Sequence, residues 1–387
     1  MRSSINSYLG DYLRRGSETA FAHRRGLRVE RWSYRRTAEA AYHFARELEA
    51  RGVGRGERVL IWGVNSPEWV AAFFGCAARG AVVVPLDVES APDFVARVRE
   101  QTKARLVLFS EETREAAGRL EGLPRLALEE LEGTAARHSP EPFEAEGVGA
   151  GDLLEIIYTS GTTAEPRGVV LTHGNLLANL APIEEEVGKY LRWERLVHPI
   201  RFLSLLPLSH VFGQFMGIFV PQLLGGEVFF QNSLNPSEII GSIKRQRVSV
   251  VVTVPRLLET LREHVERQEE ARGRLAEFRR AIEEAKGAHP AARLWKFRRL
   301  HRRFGWKFWA FVTGGATLAE ETETFWRRAG FAVLQGYGMT ETASLITVNH
   351  PFKSARGAVG KILPGHEVKL GEGGEILVRG KNVSPGY

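Results

Sequence analysis

Residues 158–169 read YTSGTTAEPRGV, and their types could hold an anion. Gly161 lets backbone N–H groups turn toward a bound oxyanion. Thr159, Ser160, Thr162 and Thr163 add hydroxyl donors, and Arg167 adds a cationic fork suited to phosphate. That chemistry is a phosphate cradle. A surface hairpin rich in turn formers has the same composition, so this stretch alone leaves both open. A Walker A loop is excluded: it needs G-x-x-x-x-G-K-[ST], whereas six residues separate Gly161 from Gly168 and no Lys-Ser/Thr follows.

The elements that must position this loop are legible as apolar runs. LLEIIYT enters the loop, GVVLTH leaves it, and GNLLANLAPIEEEV reads as a helix. Upstream, RVLIWGV (58–64), AVVVPLD (81–87) and RLVLFS (105–110) read as buried strands. Between the first two, SPEWVAAFFGCAARG predicts a helix with Ser66 as cap, Pro67 in its first turn and Gly80 as its stop. An amphipathic PDFVARVREQTK precedes the third strand. Strand–helix–strand units of this length predict a doubly wound α/β fold. Residues 112–150 are acidic and weakly periodic and read as connecting structure. FLSLLP, GEVFFQ, VSVVVTVP and FWAFVTGG predict a second α/β set, and the Gly- and Pro-rich tail from 346 predicts a small β-barrel-like unit. The expected subdomains are therefore about 1–150, 151–345 and 346–387.

Composition bounds the rest. A chain of 387 residues exceeds one compact core, so more than one lobe is expected. Cys76 is the only cysteine, which excludes an internal disulfide and makes the cytoplasm the default. The N-terminus carries no apolar core of a secretory signal, and no run of 18 apolar residues occurs. A net charge of +7 favours anionic partners. Residues 256–310 form a long charged helical stretch. Within 291–310 there are seven Arg or Lys, no acid, and Trp295, Trp306 and Trp309. That pattern suits an anionic membrane surface or a solvated helical hairpin. No nucleic-acid-binding fold is visible, so nucleic acid is not expected as a partner.

Several further motifs occur in one order: PLSHVFG (207–213), TGGATL (313–318), QGYGMTETAS (335–344) and GEILVRGKNVSPGY (374–387). With TSGTT-x-x-P-R-G they resemble the adenylate-forming superfamily of AMP-dependent synthetases and ligases, from about residue 30 to the last. The resemblance implies that Thr159, Ser160, Gly161, Thr162, Thr163 and Arg167 hold the ATP β- and γ-phosphates. It implies Gly314, Gly315 and Ala316 beside adenine, with Gln335, Gly336, Tyr337 and Gly338 completing that wall and Tyr337 stacked on the base. Thr340 would bind the α-phosphate, and Glu341 would bind Mg²⁺ with Thr159 as a second contact. His210 would sit beside the substrate carboxylate, and Phe212, Gly213, Phe215 and Met216 would line an acyl pocket. The catalytic set is thus Thr340, Glu341, His210 and Arg167. Core packing is the plain alternative for the Phe212–Phe219 stripe and for Tyr337; a solvated carboxylate is the plain alternative for Glu341.

The insertion before FWAFVTGGATL resembles long-chain fatty acyl-CoA synthetases. The implied activity is formation of acyl-AMP from a medium- to long-chain fatty acid and ATP, then thioester formation with CoA. A carrier-protein acceptor, or a remnant that binds acyl chains or membrane without catalysis, are the alternatives. Peripheral contact with the inner membrane surface through 291–310 is expected. Two positions depart from the family: Ala164 where Gly is usual, which puts loop mobility in doubt, and Arg167 where Lys is frequent, which keeps the charge. The small C-terminal lid domain of these enzymes is absent from the 387 residues, so weak adenylation by this stretch alone is expected.

Overall fold

A computed structural model describes residues 2–26, 28–159, 166–191, 197–350 and 357–387, with the side chain of Thr159 left out. Ser160, Gly161, Thr162, Thr163 and Ala164, named above as phosphate-loop residues, lie outside the described residues. The chain opens with a helix, Ser7–Arg15, and an antiparallel hairpin of β1 (Thr19–Arg25) and β2 (Arg28–Ser33). Then follow β3 (Arg58–Trp62), β4 (Val82–Leu86), β5 (Leu106–Phe109), β6 (Arg125–Ala127), β7 (Leu153–Thr159) and β8 (Arg167–Thr172). These six form one sheet in the order β6-β5-β3-β4-β7-β8, parallel except for the β7–β8 hairpin. Next come β9 (Arg201–Ser204), β10 (Glu227–Phe230), β11 (Val250–Thr253), β12 (Ala310–Thr313), β13 (Ala332–Tyr337), β14 (Thr347–Val348) and β15 (Lys361–Ile362). With the N-terminal hairpin they make a nine-stranded sheet, β15-β14-β13-β12-β11-β9-β10-β1-β2. The tail unit is a two-stranded ribbon of β16 (His366–Leu370) and β17 (Ile376–Gly380).

The inner strands are continuous Val/Leu/Ile/Phe runs because helices cover both faces of a parallel sheet, leaving no wet side to demand alternation. The helix Pro67–Arg79 shows the same logic. Apolar nearly all round, it is buried over almost its whole length. Ser66 caps it by accepting from the Trp69 N–H at 3.1 Å, and Gly80 ends it at φ +72°.

The sheets do not part at the boundary expected near residue 150. Strands β7 and β8 extend the first sheet, while β1 joins the second by pairing in parallel with β10, Phe21 opposite Val228. Apolar strands seek any partner with a free edge, and sequence proximity does not decide which. The expected stretch 256–310 is helical but broken into Pro255–Glu270, Leu275–Glu284, Pro290–Lys296 and Arg298–Phe304.

Candidate active site

PLSHVFG, TGGATL and QGYGMTETAS lie at or just beyond the C-terminal ends of β9, β12 and β13, parallel strands of the nine-stranded sheet, while Arg167 opens β8 of the first sheet. Ligands of open α/β sheets bind at such strand ends, where loops diverge and leave a crevice. Thr313 at the end of β12 pairs with Gln335 of β13, so the Gly314–Gly315–Ala316 turn and the Gly336–Tyr337–Gly338 segment emerge side by side. Gly314 is buried, Gly315 (φ +80°) and Ala316 are exposed, and Tyr337 is half-buried at the crevice. A β-carbon on Gly314 would come within 3.0 Å of the Phe212 ring and 3.1 Å of the Gly336 carbonyl oxygen. Phe212 thereby reaches the Gly314–Ala316 turn.

After Tyr337 the chain makes a compact excursion and returns as β14. A short 3-10 turn, Thr340–Thr342, sits at its head with Thr340 and Glu341 half-buried. Thr342 ties the turn by accepting from the Met339 N–H at 3.1 Å and donating to the Met339 carbonyl at 3.0 Å. Ala343 (φ +48°) and Ser344 (φ +92°) follow in the left-handed region, which costs energy for residues with side chains and is tolerated where surrounding contacts over-determine the backbone. Those contacts are identifiable. Asn179 Nδ2 donates to the carbonyls of Thr342 at 2.8 Å and Ala343 at 2.6 Å, and Asn382 Nδ2 donates to Thr342 at 3.2 Å. One turn earlier on the helix His173–Gly188, Asn175 Nδ2 donates to the carbonyls of Lys381 at 2.8 Å and Val383 at 3.0 Å. Asn175 and Asn179 thus staple the Glu341 turn and the chain's last residues to one helix.

Asn179→Ala will leave two buried carbonyls without that donor and will lower stability by about 1–3 kcal/mol. Urea denaturation checks it. A change below about 0.5 kcal/mol, the size of an ordinary surface effect, would show that the turn is held by something else.

The tail brings Arg167 and Glu341 together. Residues 384–386 run along β8: the Val170 N–H donates to Gly386 at 3.0 Å and the Ser384 hydroxyl to Val170 at 2.7 Å. The Ser384 N–H also donates to the Glu341 carbonyl at 2.7 Å, and the Tyr387 hydroxyl donates to the Glu341 carboxylate at 2.9 Å. That hydrogen bond holds the Tyr387 phenol above its ordinary pKa, while the nearby Arg167 guanidinium opposes it. Arg167 and Glu341 therefore lie around one phenol. Arg167, Tyr158 and Tyr387 also line a cleft of about 680 Å³.

On the other flank stands the turn Pro207–His210. Asn65 fixes it from the first sheet, donating to the Leu206 carbonyl at 2.7 Å and accepting from the Leu208 N–H at 2.8 Å. Asp87, just beyond β4, accepts from the Ser209 hydroxyl at 3.3 Å and stands 3.8 Å from His210 Nε2. His210 is exposed toward the crevice. Gly213 packs so tightly beneath this turn that a β-carbon would overlap the Pro207 carbonyl oxygen. Phe215 and Met216 are buried in the main core, on a wide π-type turn spanning Phe215–Phe219.

Beneath both flanks lies a group the motifs do not mention. Glu155 of β7 is fully buried, and its carboxylate accepts from Gln214 Nε2 at 2.7 Å. Gln214, also buried, donates to the Leu208 carbonyl at 3.0 Å. Burial pushes the Glu155 carboxyl up to about 8, and the Gln214 amide only partly offsets that.

Among the described residues, His23, Glu30 and Glu68 form a three-group cluster of metal-ligand types. Arg25 already spans Glu30 at 3.3 Å and Glu68 at 2.6 Å, so the cluster reads as an ion-pair network on the N-terminal hairpin.

The sequence reading missed Asn65, Asp87, Asn175, Asn179, Asn382, Glu155 and Gln214. A signal existed for two of them: Asn175 and Asn179, four residues apart inside an apolar helix, must face something polar.

The AMP-binding enzyme family model matches residues 14–387. The chain belongs to that family. It is 29% identical to the long-chain-fatty-acid–CoA ligase FadD15 of Mycobacterium bovis over 92% of this chain and 64% of that protein. It is 27% identical to a feruloyl-CoA synthase of an Amycolatopsis species, over 92% of this chain and 66% of that protein. The chain thus spans just under two thirds of the length of these relatives. Its fold matches the crystal structure of the N-terminal domain of FACL13 from Mycobacterium tuberculosis with a TM-score of 0.76 at 20% identity, covering 99% of this chain and 90% of that one. This AMP-binding fold accounts for the mixed α/β architecture.

Proposed function

We propose that the chain is the nucleotide- and acid-binding part of an AMP-forming acid–CoA ligase whose acid is a medium- to long-chain fatty acid. One observation carries this reading: the Tyr387 hydroxyl bonds Glu341 with Arg167 nearby, while Phe212, two residues beyond His210, lies against the Gly314 turn. In the reaction, a carboxylate oxygen of the acid attacks the α-phosphorus of ATP, and the bond to the pyrophosphate oxygen breaks. Both reactants are anions, so cations and donors along the phosphate chain must lower their repulsion. Arg167 and the hydroxyls of the loop from Thr159 to Thr163 serve the β- and γ-phosphates, and Thr340 serves the α-phosphate. Gly314–Ala316 and Gln335–Gly338 hold the base, with Tyr337 against its face. His210, backed by Asp87, orients the acid, and Phe212, Gly213, Phe215 and Met216 form the wall beside its chain.

The half-buried Glu341 carboxylate, whose described partner is the Tyr387 hydroxyl, is an oxygen ligand of the kind that suits Mg²⁺, which takes few protein ligands and keeps oxygen partners from substrate. Glu341 would hold it, with Thr159 as a second contact, and it would supply charge neutralisation at the phosphates. In the second half-reaction the thiol sulfur of CoA attacks the acyl carbon and AMP leaves. The chain works on the cytoplasmic side, and a long acid favours peripheral contact with the membrane that stores it.

Pyrophosphate release with ATP, Mg²⁺ and a panel of octanoate, palmitate and ferulate tests the proposal. Release stimulated most by palmitate is expected. Strongest release with ferulate would assign an aromatic acid, as in the feruloyl-CoA synthase relative, and no acid-dependent release would overturn the reading.

A further inference from the structure

The turn Pro207–His210 leaves β9 of the second sheet, yet three of its supports reach back to the first. Asn65 follows β3, Asp87 follows β4, and Glu155 of β7 acts through Gln214. Gln214 grips the turn at two points. Its backbone N–H donates to the His210 carbonyl at 3.1 Å, and its side-chain Nε2 donates to the Leu208 carbonyl at 3.0 Å. The same Nε2 also donates to a Glu155 carboxyl oxygen at 2.7 Å. Both amide protons are then engaged, so the plane of the Gln214 amide is set by where Glu155 stands.

Glu155 stands inside a sheet, opposite Val83 of β4 and Leu171 of β8. The turn has little room to shift against it. A β-carbon on Gly213 would lie 1.9 Å from the Pro207 carbonyl oxygen, and the π-type turn Phe215–Phe219 follows Gln214 at once. Such wide turns within helices are frequent at functional sites.

Packing alone does not call for this pair. Replacing both members of a buried hydrogen-bonded pair by apolar groups of the same shape is close to neutral for stability, or favourable. Among the described residues no charged group offsets the burial of Glu155; the Gln214 amide alone does so in part. Glu155 Oε1 and Gln214 Oε1 are both buried without a partner. An apolar pair would fill the core as well. What the polar pair adds is direction.

We propose that Glu155 and Gln214 are positioning residues for the acid substrate: Gln214, aligned by Glu155, sets the direction of the Leu208–Ser209 peptide and through it the place where His210 meets the acid carboxylate. Neither residue touches the reacting atoms. The assignment rests on the acid–CoA ligase reading for what His210 meets, not for how its turn is held. The Glu341 turn has separate supports in Asn179 and Asn382, so the effect falls on the acid and spares ATP.

The test is steady-state pyrophosphate release with octanoate and ATP varied in turn, in E155L/Q214M, where both members become apolar side chains of similar shape. Its kcat/KM for octanoate should fall about ten-fold or more, mostly through KM, because misplacement by about 1 Å can cost on the order of 100-fold. Its KM for ATP and its thermal melt should stay near those of the parent. Q214M alone should match the double variant, since both act through one chain of hydrogen bonds, and it carries the comparison if the double variant does not fold. E155Q keeps an oxygen acceptor for Gln214 and should restore the octanoate KM that E155L raises. A parent-like octanoate KM in Q214M or the double variant would overturn the proposal. So would KM values for octanoate and ATP that rise together with a lowered melt, the mark of a loosened fold. Octanoate binding by calorimetry repeats the comparison without turnover. In a chain that releases no pyrophosphate with any acid, weaker octanoate binding by the variants would uphold the positioning role and sink the ligase reading; equal or absent binding would sink both.

Discussion

Glu341→Gln will cut acid-dependent pyrophosphate release by about 100-fold or more while leaving the fold intact. The geometry separates these two outcomes. The Glu341 backbone is fixed by the Ser384 N–H, and its neighbours by Asn179 and Asn382, none of which touches the Glu341 carboxylate. The side chain's protein partner is the Tyr387 hydroxyl, a donor that a glutamine oxygen can still satisfy. The substitution therefore removes a negative charge and almost nothing else. If Glu341 holds Mg²⁺ as proposed, that ion would supply several kcal/mol of charge neutralisation to a transition state that gathers negative charge, which sets the size of the loss. The measurement is a steady-state rate titrated with Mg²⁺, beside a thermal melt. A variant with a normal melt and a rate within a few-fold of the parent would remove Glu341 from the proposed Mg²⁺ role. Tyr387→Phe is the companion: it keeps the charge and loses only the hydrogen bond, so its rate should fall far less.

Glu155→Gln will stabilise the chain at alkaline pH and do little at acid pH. Glu155 is fully buried, with one amide partner and no cation, and its carboxyl is pushed up from 4.5 to about 8. Between those values the folded state holds the proton and the unfolded state has released it. Stability contributed by the neutral carboxyl is therefore fully present below the unfolded value near 4.5, declines as pH rises, and is spent by about 8. A shift of that size corresponds to roughly 5 kcal/mol. The added amide also has a waiting acceptor, because the Gln214 Oε1 is buried without a partner. Chemical denaturation of both proteins at pH 5 and pH 9 decides it. A gain of several kcal/mol at pH 9 that shrinks toward zero at pH 5 is expected; equal effects at both would mean that Glu155 is not held protonated. His173 acts in the opposite sense. Burial pushes its imidazole down to about 4, so stability is lost as pH falls through the window from 6.5 to 4.

The inner parallel strands were legible because a strand covered on both faces must be an unbroken apolar run. The helix Pro67–Arg79 was legible to the residue because its cap, its first-turn proline and its terminating glycine are all local signals. The hairpin at 19–33 was not. It reads AFAHRRGLRVERWS, an edge unit full of arginines, whose partner β10 lies far along the chain. The support of the site was hidden for a related reason. Asn179, Asn382 and Gln214 act through hydrogen bonds to backbone carbonyls, which any sequence possesses, so nothing in the partner segment marks the contact. Glu155 stands inside LLEIIYT as one charge in an apolar strand, and its polarity gave no hint that the fold keeps it neutral.

The crossing of β1 into the second sheet has a consequence for the order in which the chain is made. Phe21 must wait for Val228, roughly 200 residues of synthesis later, before its strand has a parallel partner. At ordinary elongation rates that interval is on the order of ten seconds or more, during which the N-terminal hairpin stands without the edge it was built for. The first sheet lacks β7 and β8 for most of that time as well. The emerging chain is thus a candidate client for factors that shield unpaired strands on the ribosome, and the molecule locks only when its earliest and later segments meet.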